Sequence, residues 1–236
     1  MWQKTVRKTV YSLDIGNYCP DLTRLTHPLM KRYAKKIGAE FHLITERQFP
    51  DWPIVYEKLQ IYQLAQEHGN DWSIYIDGDA LVHPDMLDLT AFVSKDTVIH
   101  NDFDVVEHRF APDRFFLRDG RHIGSGNWFA MASDWCIELW KPLDDLTLQD
   151  AVERIHPTAK EFQSGTMEAS HLIDDFTLSR NIAKYGLKAM RVKDLYKTKM
   201  GYTPEIGYLW HRYLLPEEVK VVEALKVLKE WGVHIT

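Results

Sequence analysis

Two aspartates separated by a single glycine, Asp77-Gly78-Asp79, close the run Trp72-Ser73-Ile74-Tyr75-Ile76, and Ala80-Leu81 follow at once. A β-prone apolar run that ends in two carboxylates reads as a buried strand delivering charge to a functional edge. Ligands of open α/β sheets bind at that edge, in the crevice outside the carboxyl ends of the strands. Two like charges placed there resist desolvation unless a cation joins them, and hard oxygen ligands suit Mg²⁺ or Mn²⁺. Gly78 leaves no side chain between them, so a bulky ligand could approach the backbone. The plain alternative is a turn, because Asp-Gly is a common turn dipeptide. A second acidic pair, Asp174-Asp175, opens a helical pattern, where it serves either the helix dipole or chemistry. Lys58 lies on the early turns of another such pattern and reads as solvated surface or as a phosphate contact.

These groups need elements to hold them. Residues 5 to 13 read as a first strand that ends in a turn at Asp14-Ile15-Gly16-Asn17, and Tyr11 and Asp14 could offer an aromatic face and a hydrogen-bonding group to a base. Apolar positions 29, 30, 33, 34 and 37, with Pro28 ahead of them and Gly38 beyond, describe an amphipathic helix. Residues 39 to 45 alternate as a second strand, residues 55 to 68 form a helix stopped by Gly69, and the strand ending at Asp77 follows. That β-α-β-α-β order predicts a parallel, doubly wound sheet. Pro84 to Leu89 reads as a short helical turn, Thr97 to His100 as a strand, and residues 101 to 121 as an irregular excursion suited to acceptor specificity. In the strand-like stretch that follows, Gly124 and Gly126 allow either close backbone approach to a ligand or a tight bend. A helix from Ser133 to Trp140, one from His171 to Tyr185, a strand from Leu187 to Val192 and a final helix from Pro216 to Trp231 complete the pattern.

The chain has 236 residues, 45% of them apolar, and a formal charge of −5, so it can fill a core and carries no global basic excess of the kind nucleic-acid binders show. Two cysteines, Cys19 and Cys136, make no disulfide framework and no metal-ligand spacing, which points to free thiols in a reducing compartment. No run approaches the roughly 20 apolar residues of a membrane span. The expectation is one compact domain over residues 1–236, in the cytoplasm, with no membrane span.

With these pieces in order, the chain resembles the metal-dependent nucleotide-sugar glycosyltransferases of GT-A type. Within them it is most similar to the retaining enzymes that include fungal α-mannosyl- and α-galactosyltransferases and plant xyloglucan xylosyltransferases, and more distantly to glycogenin-like enzymes. The residues that carry the likeness are Tyr33 to Ala39, the helix containing Lys58, Trp72 to Ala80, Gly124-Ser125-Gly126-Asn127-Trp128-Phe129, Asp174-Asp175 and the late His211. The resemblance implies an α/β GT-A (Rossmann-like) fold with a central, mostly parallel sheet flanked by helices. It implies a metal site at Asp77, Asp79 and His211, holding Mn²⁺ or Mg²⁺. Donor contacts are implied at Tyr11, Asp14, Lys58, Asp77, Gly78, Gly124, Gly126 and Asn127, and a role under the sugar for Asp174 or Asp175. Family members often have glutamine beside that aspartate, so the choice between the two stays open, as does the choice between double displacement and a front-face mechanism. Eukaryotic members usually carry a membrane anchor and stem, and without them a microbial or viral cytoplasmic enzyme, or an excised domain, is expected.

The expected reaction moves a sugar from a nucleoside diphosphate sugar, UDP favoured and GDP second, to an acceptor hydroxyl with retention. A glycan is the default acceptor, and a nucleic-acid base is not favoured. A nucleotidyltransferase or sugar-phosphate pyrophosphorylase is one alternative, weakened because residues 13 to 20 contain only Gly16 where a glycine-rich loop is needed. A non-catalytic nucleotide- or carbohydrate-binding domain is the other.

Overall fold

The computed structural model describes residues 5–101, 104–105, 110, 115, 122–123, 128–156, 169–200, 208–212 and 215–233. In chain order the strands are β1 (Lys8–Leu13), β2 (Glu40–Ile44), β3 (Trp72–Ile76), β4 (Leu81–Val82), β5 (Thr97–His100), β6 (Asp104–Val105), β7 (His122–Ile123), β8 (Phe129–Ser133), β9 (Lys188–Arg191) and β10 (Leu209–Trp210). The helices are α1 (Pro20–Lys36), α2 (Ile61–Glu67), α3 (Leu148–Val152), α4 (Ile173–Tyr185), α5 (Val192–Met200) and α6 (Glu217–Glu230). Short 3₁₀ segments cover Ile54–Gln60, Leu89–Ala91, Asp134–Trp140 and Ala169–Leu172.

Six strands form the main sheet in the order β2-β1-β3-β8-β5-β9. All pairings are parallel except those of β8, which runs antiparallel to both β3 and β5. The sheet is therefore mostly parallel, with one reversed strand that the alternation of elements in the sequence did not signal. The reversal makes the chain leave β5 and enter β8 at the same edge. Asn101 and Phe129 hold that junction closed: the Asn101 amide donates to the Phe129 carbonyl at 3.2 Å, and the Phe129 amide donates to Asn101 Oδ1 at 3.4 Å.

β3 lies inside the sheet with all five residues buried, which accounts for its continuous run of apolar and small side chains. Alternate residues serve opposite faces. Tyr11, Tyr75, Val98, Ala130 and Ala132 pack with Ile173, Phe176 and Ile182 of α4 and with Trp140. Val10, Ile74, Ile76, Ile99 and Met131 pack with Met30, Tyr33 and Ala34 of α1 and with Leu195 and Tyr196 of α5. A smaller cluster joins Leu22 and Leu29 of α1 to Leu81 and to Ala224 and Leu228 of α6.

α1 begins at Pro20, not at Pro28, which lies inside the helix on its exposed side. Leu22 and Thr26 are buried ahead of Leu29, Met30, Tyr33 and Ala34, so the apolar face runs through the proline. That burial outweighs the roughly 3 kcal/mol a proline costs a helix interior. A turn forms at Pro84–Asp85, closed by the Met86 amide donating to the His83 carbonyl at 2.9 Å, and a separate 3₁₀ turn follows at Leu89–Ala91, where the Asp88 side chain accepts from the Thr90 amide and starts it. The strand expected from His122 begins at Phe129, while His122–Ile123 pairs separately with β6. α5 occupies residues to which no helix was assigned from the sequence. Among the described residues no helix is long and apolar enough to cross a membrane.

Candidate functional site

The carboxyl end of β3 turns sharply. The Asp77 amide donates to the Trp128 carbonyl at 2.8 Å, and the Ala80 amide returns to the Asp77 carbonyl at 2.9 Å. β4 follows at once and pairs antiparallel with β10, Leu81 opposite Trp210 and Val82 opposite Leu209. This register brings the next residue after β10, His211, beside Asp79. Its Nε2 stands 3.2 Å from Asp79 Oδ1, and its ring stacks on Trp128 with centroids 5.3 Å apart. One ligand atom each from Asp77, Asp79 and His211 lie within 4.8 Å of one another. Two carboxylates and an imidazole converging at a largely buried spot form a donor set that fits a divalent cation, with the nitrogen favouring Mn²⁺ somewhat over Mg²⁺.

Asp77 also faces the α4 side of the sheet. The period of two places Tyr75 on the same face, and its hydroxyl donates to Asp77 Oδ1 at 2.5 Å. Lys58 comes from the 3₁₀ segment that leads into α2 and is not the solvated lysine that the helical pattern allowed. It is 2% exposed, with Nζ 2.5 Å from Asp174 Oδ2 and 3.4 Å from Asp77 Oδ1, over the Tyr75 ring at 4.6 Å. Burial works against its charge, but Asp174, Asp77 and Asp175 outweigh burial and hold its pKa above the ordinary lysine value. Burial and the neighbouring Asp77 likewise push the Tyr75 hydroxyl up, so it stays a donor. Asp174 and Asp175 occupy the first turn of α4 and are both buried, beyond what a dipole contact at a solvated helix end requires. Lys58 therefore bridges the carboxylate at the end of β3 to the acidic pair on α4.

Asp79 is 5% exposed, and burial alone would raise its pKa. His211, and Lys220 with Nζ 2.6 Å from Asp79 Oδ2, reverse that and hold it well below the usual carboxylate range. Lys220 was not singled out from the sequence. A signal existed: the buried residues of α6 are Lys220, Ala224 and Leu228, spaced by four, which puts a lysine on the apolar stripe. Tyr75 was legible by the same reasoning from strand period.

Gly78 has a different reason from the one its sequence context suggests. A Cβ built on it would lie 2.6 Å from the Leu13 carbonyl oxygen, so the missing side chain makes room for the end of β1. The Thr26 hydroxyl donates to the Gly78 carbonyl and fixes the turn from the α1 side. Gly78→Ala is thus expected to lower stability by about 1–3 kcal/mol, the scale of overpacking. Urea unfolding checks this, and a wild-type midpoint would mean that β1 and the turn are not in contact.

The remaining donor expectations divide. Asp14 follows β1 at the same sheet edge, half-buried, its amide donating to the Ile44 carbonyl at 2.9 Å. Tyr11 does not join the group: it is 0% exposed, and its hydroxyl bonds Asn70 at 2.8 Å and His68 at 3.0 Å, in the turn before β3 and at the opposite end of that strand from Asp77. Tyr11 stops short of the end of β1, so its side chain enters the core. Gly124, Gly126 and Asn127 lie outside the described residues.

No family model matches the sequence, and no curated protein matches it. The architecture is similar to that of a glycosyltransferase involved in glycosylation of the major capsid of PBCV-1, with a TM-score of 0.50 and 10% identity over 93% of this chain and 98% of that one. A lower similarity, TM-score 0.44 with 14% identity over 79% of this chain and 65% of that one, relates it to Drosophila β-1,4-galactosyltransferase 7 in complex with manganese, UDP-Gal and xylobiose. The fold is α/β of GT-A type, with a central, mostly parallel six-stranded sheet flanked by helices.

Proposed function

We propose that this chain is a divalent-cation-dependent glycosyltransferase, one catalytic domain that moves a sugar from a nucleoside diphosphate sugar to an acceptor hydroxyl. The observation that carries the reading is the convergence of Asp77, Asp79 and His211 within 4.8 Å at the carboxyl edge of a GT-A sheet, next to a buried acidic pair. Asp77, Asp79 and His211 would hold the cation, Mn²⁺ or Mg²⁺. When bound, the cation supplies Lewis-acid stabilisation of the charge that grows on the departing diphosphate. Asp14 and Lys58 stand on the donor side.

Asp174 and Asp175 are proposed as the catalytic pair, one of them acting at the anomeric carbon with retention, either by stabilising positive charge there or as nucleophile. Lys58 fixes the orientation of Asp174 through their contact at 2.5 Å. UDP is favoured as the nucleotide and GDP comes second. The acceptor is proposed to be a glycan. The likeness of motifs to the retaining fungal and plant enzymes supports retention and this choice of acceptor class.

The test is thermal unfolding across a panel of nucleoside diphosphates, with and without Mn²⁺, followed by hydrolysis of the matching donor sugar. A ligand bound to the native state raises apparent stability by mass action. The expected result is a shift that needs both Mn²⁺ and one diphosphate. No shift with any combination would overturn the reading and return Asp77-Gly78-Asp79 to a structural turn.

A further inference from the structure

The C-terminal helix α6 is built into the site. Glu217, in its first turn, accepts from the Asp21 amide at 2.9 Å and from the Leu22 amide at 3.4 Å, so it caps α1, whose own N-cap residue Cys19 provides no side-chain cap. Ala224 and Leu228 pack on Leu22, Leu29 and Leu81. Lys220 projects from the same face, with its side chain only 6% exposed, and reaches Asp79, 141 residues earlier in the chain.

A buried ammonium is costly without a partner, and Asp79 Oδ2, 2.6 Å away, supplies one. The two oxygens of Asp79 therefore have different surroundings. Oδ2 is held by Lys220, while Oδ1 faces His211 at 3.2 Å. Oδ1 is the oxygen on the His211 side. Outer partners of this kind orient a ligating carboxylate, and here the partner also brings a fixed positive charge close to where a cation would sit.

We propose that Lys220 is a positioning residue that ties the seating of α6 to the charge state of the divalent-cation site. It holds Asp79 by Oδ2 so that one oxygen is presented to the cation, it neutralises Asp79 when no cation is bound, and it weakens cation affinity by its charge. The Lys220–Asp79 pair thus holds α6 to the site most strongly when no cation is bound. This rests on the metal site proposed above.

The experiment measures Mn²⁺ affinity without donor, by the electron paramagnetic resonance signal of free Mn²⁺, together with thermal unfolding with and without Mn²⁺. The proteins are wild type, Lys220→Met, Lys220→Gln and Lys220→Arg. Lys220→Gln keeps a hydrogen-bond donor for Oδ2 without the charge, so it should keep the seat and bind Mn²⁺ roughly 10-fold more tightly, the scale of one unit charge acting on a divalent ion a few ångström away under screening as strong as that of water. Lys220→Met loses the orienting bond as well as the charge, so it should bind Mn²⁺ less tightly than Lys220→Gln and be less stable than wild type without Mn²⁺. Lys220→Arg should restore affinity toward wild type.

Equal Mn²⁺ affinity in wild type and Lys220→Gln would overturn the role of Lys220 and leave the metal site standing. Absence of Mn²⁺ binding by wild type would overturn the metal site itself. Lys220→Gln decides the matter even if Lys220→Met does not fold.

Discussion

Lys58→Met is expected to lower the unfolding free energy by about 3–5 kcal/mol, because removing one partner of a buried pair strands the other as an uncompensated charge. The stranded group is Asp174, whose Oδ2 lies 2.5 Å from the lysine nitrogen in a place where neither side chain reaches much water. Methionine matches the length of the stem and preserves packing over the Tyr75 ring, so the loss reports charge and not volume. Its pH dependence has a definite sign. The pKa of Lys58 is raised above the ordinary 10.5, so its contribution in the wild type is complete below that value and is lost only as pH climbs through the raised one. Across neutral pH the wild type is thus flat with respect to this group. Urea unfolding at several pH values measures the deficit and the flatness across neutral pH. A deficit under about 1 kcal/mol would show that Lys58 does not bridge Asp77 to the acidic pair.

Asp77→Asn is expected to remove cation dependence while leaving the fold in place. The amide keeps a carbonyl for the Tyr75 hydroxyl, and the backbone bond to Trp128 is untouched. What disappears is one of two anionic donors in the three-residue cluster. Loss of a mere outer partner typically costs roughly 10–100-fold in metal affinity, and loss of a ligand should exceed that. Release of nucleoside diphosphate from the donor sugar should fall by at least about 10²–10³, the scale of one removed electrostatic stabiliser. Titration with Mn²⁺ and assay of the released diphosphate give the two readouts. Turnover that kept its rate and its metal dependence in Asp77→Asn would remove the catalytic role assigned to this carboxylate.

Local patterns carried much of this architecture. A five-residue β-prone run ending in acids identified the buried strand β3 and the edge it serves, and apolar spacing with Gly38 beyond it, in the left-handed region at φ 67°, identified the later half of α1. Pro28 misled because proline is a strong local stop, whereas the helix is held by buried residues on both sides of it. The reversal of β8 is invisible in a strand whose residues are all buried, since parallel and antiparallel partners demand the same apolar run. Tyr11 could have belonged to either the core or the edge, and only the length of β1 beyond it decides. Lys220 shares the apolar stripe of Ala224 and Leu228, but a stronger expectation masks that signal. A lysine on an amphipathic helix is ordinarily solvated, and the carboxylate that justifies its burial lies far away in sequence.

The reversed strand has one more consequence. Because β5 runs out to the edge of the site and β8 runs back from it, the segment from residue 102 to residue 127 is attached to the sheet at neighbouring points, pinned by Asn101 and Phe129. These two attachment points stay fixed whatever the number of residues between them, since the closure entropy of a loop grows only slowly with its length. Residues can therefore be added or removed between them without shifting a strand register, provided that Phe110, buried edge-on against Phe176 of α4, keeps its place in the core.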